Sequence, residues 1–72
     1  MEELANGVEN GIEYKVVWKY GDYVYINVKD TLSNREQLYE YKLIHRPIFG
    51  IDIADHVEIK KKLDEMIDMV SK

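Results

Sequence analysis

Asp52, Asp55, His56 and His45 are the residues whose types could hold a metal ion or pass a proton. Their spacing matches no ligand pattern specific to a metal, and carboxylates at the start of a helix already serve as acceptors for its first amides. No metal and no cofactor is expected. His56 falls on an apolar helical stripe and is expected to be packed or semi-buried there. Hydroxyl nucleophiles are limited to Thr31, Ser33 and Ser71, in one loop and one tail. Neither place supplies the histidine and acid that would activate them. Cysteine is absent, and Gly7, Gly11, Gly21 and Gly50 form no phosphate-cradling loop. An acid–base pair is always imaginable among 14 acidic residues, so their number decides nothing. The chain reads as a non-enzyme.

Tyrosine and lysine carry the more informative chemistry. In "GDYVYINVKD", residues 21–30, a strand would point Val24, Ile26 and Val28 to one side and Tyr23, Tyr25, Asn27 and Lys29 to the other. The valine side is the core. The opposite face is expected to gather Val17, Lys19, Tyr23, Tyr25, Lys29, Leu38, Lys42 and Ile44 into a partner-binding surface. Lys15, Lys19, Lys29, Lys42 and Arg46 oppose only Glu13 and Glu40 there, a local excess of three positive charges on a chain of net charge −4. An apolar patch flanked by charge suits a protein partner, and the expected arrangement is a homodimer. The alternative is nucleic acid, bound by base stacking on the tyrosines and phosphate neutralisation by the lysines. A second-choice site is Ile48, Phe49 and Ile51 in "RPIFGIDIADH", residues 46–56. These either fold under the helix to seal the core or clip onto a partner, with "IDI" pairing as a short strand.

Period-two alternation locates the elements that position these groups. Ile12, Tyr14, Val16, Trp18 and Tyr20 alternate with Glu13, Lys15, Val17 and Lys19; a second strand covers roughly 22–29, "DTLSNRE" is a polar loop, and "QLYEYKLIHR" is a third strand. A strict two-residue loop at Gly21-Asp22 would set the first two strands at odds over the core. A three-residue loop or a bulge beside the glycine moves the register by one, placing Val16 and Trp18 with Val24, Ile26 and Val28. Tyr39, Tyr41 and Leu43 then share the core face, while Leu38, Glu40, Lys42, Ile44 and Arg46 face out. Asp55 with Glu58 three residues on resembles a capping box, followed by an apolar stripe of His56, Ile59, Leu63, Met66, Ile67 and Val70. The expected fold is α+β, a three-stranded antiparallel meander packed against one C-terminal helix. Residues 1–11 read as a flexible arm and 12–72 as a single small domain.

At 72 residues the chain buries only about 60–65% of the surface its unfolded form exposes. With no disulfide available, self-association would be its most accessible source of extra stability. "MEELANG" lacks the basic start and apolar run of a secretory leader, and no apolar stretch approaches a membrane span, so a cytoplasmic location and no membrane partner are expected. The bias toward Ile, Lys, Tyr, Asn and Met is one that AT-rich genomes impose, as in a low-GC bacterium or its phage.

The order of three strands and a C-terminal helix over residues 12–70 resembles the small sheet domains with which some tyrosine recombinases grip DNA arm sites. "YVYINV" and "YEYKLI" stand roughly where their second and third strands run. That resemblance of topology implies DNA binding, although those domains are generally basic and this chain is acidic. Charge and composition favour a small non-enzymatic interaction module, a phage or mobile-element accessory protein that regulates or inhibits a host protein.

Overall fold

Asn10 and Gly11 turn the chain with φ values of 53° and 78°, the consecutive left-handed residues that a two-residue type I′ loop requires. The computed structural model, which describes residues 2–44 and 50–71, folds Glu2–Glu9 (β1) back against Ile12–Tyr20 (β2) through that turn. The sheet therefore has four strands where three were expected, and most of the stretch read as a loose arm is its first strand. β1 is poor in apolar anchors and is bulged between Glu3 and Ala5. It still packs Leu4 and Ala5 against the core margin. The Tyr14 ring lies across Gly7 so closely that a Cβ there would stand 2.8 Å from the hydroxyl oxygen.

Tyr23–Asp30 (β3) and Arg35–Lys42 (β4) complete an antiparallel sheet in the order β1-β2-β3-β4. Between β2 and β3, Val16 faces Ile26 and Trp18 faces Val24, and the register shifts between Trp18 and Tyr20. This is the arrangement expected of a bulge beside Gly21. The Trp18 indole Nε1–H donates to the Gly21 carbonyl at 2.8 Å, tying bulge to turn. The same bulge pairs Tyr20 with Tyr23, which removes Tyr20 from the apolar face where simple alternation puts it. Tyr39 and Tyr41 lie opposite Ile26 and Val24, on the core side as expected. In the β3–β4 loop the Asp30 carboxylate accepts the Leu32 amide and the Ser33 hydroxyl, each at 3.0 Å. Chiefly through the Leu32 bond, its pKa is held below the ordinary carboxylate value.

The helix, Ile53–Ser71 (α1), starts earlier than the Asp55–Glu58 spacing suggests. Asp52 is its cap: the Asp52 carboxylate accepts the Asp55 amide and the Asp55 carboxylate accepts the Asp52 amide, both at 3.0 Å. Two D-x-x-acid patterns overlap in "DIADHVE", and the first satisfies both orphan amides reciprocally. Ile59, Leu63, Met66, Ile67 and Val70 pack on Ile12, Val16, Val24, Ile26, Val28 and Leu43 to form the core. In the first turn that buried stripe begins with Asp55, and His56 is exposed where packing was expected. One hundred degrees of helical rotation separates the two positions.

Glu58 joins helix to sheet. Its Oε2 accepts the Tyr41 hydroxyl at 2.5 Å and the Ile44 amide at 2.8 Å. The bond to the carboxylate, reinforced by burial, pushes the Tyr41 pKa up to about 12. An unfolded tyrosine ionises near pH 10, so between about 10 and about 12 the unfolded chain sheds this proton first and stability falls as pH rises. Tyr41→Phe should cost about 1–2 kcal/mol at neutral pH and remove that part of the alkaline decline. Urea midpoints measured against pH for both proteins check this; curves that stay parallel through the window would refute the linkage.

Candidate interaction surface on the open face of the sheet

Helix α1 covers one face of the sheet, and among the described residues no element covers the other. The strand registers place four rows of side chains across that open face. Tyr20, Tyr23 and Lys42 form one, and Val17, Tyr25 and Glu40 the next. Lys15, Asn27 and Leu38 follow, then Glu13, Lys29 and Glu36. β1 adds Glu3, Asn6 and Val8 at the side.

The bulge that sends Tyr20 outward also lets Lys19 reach across β3. Its Nζ donates to the Tyr25 hydroxyl at 2.8 Å and stands 4.7 Å from the Tyr25 ring centroid. The hydrogen bond raises the Lys19 pKa above the ordinary lysine value. Tyr20 and Tyr23 are tilted against each other with centroids 5.4 Å apart, within the range of favourable ring contacts. Leu38 on β4 is 66% exposed and Tyr20 55% exposed. Together they make a patch of aromatic and aliphatic carbon around a fixed lysine.

Of the residues expected at the site, Val17, Lys19, Tyr23, Tyr25, Lys29, Leu38 and Lys42 come together on this face. Ile44 does not join them. It follows the end of β4 and lines a cleft of about 490 Å³ between the sheet edge and α1, with Tyr41, Val57 and Lys62. Of the second-choice site, Ile48 and Phe49 lie outside the described residues, as does Arg46. Ile51 is half-buried against the core, whereas Ile53 opens the helix and is exposed, so "IDI" is not a strand.

The charge balance differs from expectation. Lys15, Lys19, Lys29 and Lys42 on this face meet Glu3, Glu13, Glu36 and Glu40, so the described part of the face is neutral. Glu3 arrives with the unexpected strand, and Glu36 belongs to β4 where a polar loop is expected. Lys29 stands between Glu13 and Glu36. Lys15 lies 3.8 Å from the Glu3 carboxylate. Asn6 donates to Glu3 at 2.8 Å and Asn27 to Glu36 at 3.2 Å. Much of the polar capacity is thus spent within the sheet.

Among the described residues no cluster of histidine and carboxylate groups could hold a metal ion, and no helix is long and apolar enough to cross a membrane. No family model matches the chain, and no curated protein or solved structure is found that resembles it.

Proposed function

We propose that the protein is a small non-enzymatic interaction module that docks a protein partner on the open face of its sheet, acting as an accessory factor that regulates or inhibits that partner. The observation that carries this is the uncovered cluster of Tyr20, Tyr23, Tyr25, Val17 and Leu38 framed by paired charges. Aromatic anchors surrounded by a polar rim are what protein interfaces concentrate their binding energy in. The neutral face, on a chain of net charge −4, supports protein over nucleic acid. Phosphate binding would need lysines free of carboxylates, and Lys29 and Lys15 are flanked by them.

Affinity capture with wild type, Tyr25→Ala and Lys29→Glu, alongside anisotropy titrations with labelled DNA and RNA oligonucleotides at low and high salt, tests the choice. The expected result is a captured protein whose retention drops about tenfold or more with Tyr25→Ala and little with Lys29→Glu, and no salt-steep oligonucleotide binding. Micromolar binding to an oligonucleotide that weakens steeply with salt and is lost in Lys19→Glu would replace this reading with the nucleic-acid one.

A further inference from the structure

The two edges of the sheet differ. β1 carries the protections that keep an edge from pairing: a bulge between Glu3 and Ala5, an interior glycine, and Glu2, Glu3 and Glu9 with no cation in the strand. β4 runs from Arg35 to Lys42 in unbroken register with β3, and among the described residues it has a strand on one side only. The Leu43 amide donates to the Asp22 carbonyl at 2.7 Å, which fixes the phase of the ladder. Odd-numbered β4 residues turn their backbone groups toward β3, and Glu36, Leu38, Glu40 and Lys42 turn theirs outward.

We infer that two copies of the chain join antiparallel along β4, with Tyr39 on the two-fold axis, to make one eight-stranded sheet. Charge and register select this alignment. Side chains can share a face across the new seam only when the two-fold axis falls on a residue, so the candidates differ by single-residue steps of the axis. Centring on Leu38 sets Glu36 against Glu40 of the second copy twice, and centring on Glu40 sets Glu40 against itself. Centring on Tyr41 extends the pairing to Ile44, whose amide is already bonded to Glu58. Centring on Tyr39 pairs Glu36 with Lys42 of the second copy twice, places the outward-turned backbone groups in register, and brings the two Tyr39 rings together at the close, non-hydrogen-bonded position.

The side chains around this edge suit the pairing. Leu38 is 66% and Tyr39 39% exposed, and Lys62 stands 4.6 Å from the Tyr39 ring centroid. The cleft between α1 and the end of β4, lined by Ile44 and Val57, which are 86% and 54% exposed, adds exposed apolar surface near this edge. The open face is left uncovered, so the inference stands whether or not that face docks a partner.

Light-scattering-coupled gel filtration of the purified chain at sub-millimolar concentration tests it, with circular dichroism to show that each variant is folded. Wild type should run at twice 8.6 kDa. Leu38→Pro removes an amide that points away from β3 and should give a folded monomer. Lys42→Glu should also dissociate the pair, and adding Glu36→Lys to it should restore the dimer. A monomeric wild type overturns the inference. So does a dimer that survives Lys42→Glu, or one that Tyr25→Glu breaks and Leu38→Pro leaves intact; that last pattern would place the seam on the open face.

Discussion

Ile26→Ala is expected to cost about 3–4 kcal/mol, because Ile26 is fully buried at the centre of β3 and truncation leaves a cavity that its neighbours cannot fill. A chain of 72 residues has only about 4–10 kcal/mol of stability in total. The variant should therefore be partly unfolded at room temperature, with a urea midpoint well below that of wild type and an unchanged slope. Leu38→Ala, on the open face of the same sheet, removes as large a side chain that is 66% exposed and should change stability by less than about 0.5 kcal/mol. The contrast between the two places the core on the helix side. Equal losses at both positions would mean that the open face is also packed in solution.

What could be read from the chain alone, and what could not, follows from how much local signal each element carries. β2, β3 and β4 announce themselves by strict alternation, and the conflict between Trp18 and Val24 in a tight hairpin leads directly to the bulge. The consequence for Tyr20 was available from the same reasoning, since a bulge at one residue reverses the face of the next. β1 has few apolar residues and an interior glycine, so periodicity alone does not find it. Its signal is the Asn10-Gly11 pair between Val8 and Ile12, a turn chemistry that specifies a hairpin more strongly than the strand specifies itself. The helix start was ambiguous because Asp52-x-x-Asp55 and Asp55-x-x-Glu58 fit the same pattern. Only the third dimension shows that Glu58 is needed by Tyr41 and Ile44.

The surface followed the same division. The tyrosines of β3 could be placed outward from their own strand, whereas the charge of the face depends on every strand that borders it. Without β1, and with β4 begun at Gln37 instead of Arg35, Glu3 and Glu36 drop out of the face and its neutral charge reads as basic. A sum over a surface inherits the error of every element assigned to it.

The second large effect tests β1 itself. A chain beginning at Gly11 loses the ladder from Glu2–Trp18 to Glu9–Ile12 and the packing of Leu4 and Ala5 on the core. Burial of one leucine and a small neighbour, with several backbone hydrogen bonds, amounts to about 3 kcal/mol net. In a domain of this size that lowers the melting temperature by about 15 °C. A flexible arm would shift it by no more than a degree or two. The truncation should also change association, because it bares β2, an edge with Val16 and Ile12 on its core side and none of β1's glutamates. Concentration-dependent aggregation should appear on heating the shortened chain and be absent from the full one. Gly11→Val, which forces a β-branched side chain to φ 78° at the turn, should reproduce part of the loss without removing any residue. If the shortened chain melts with the full one, β1 is not held in the sheet, and the protection it gives that edge disappears with it.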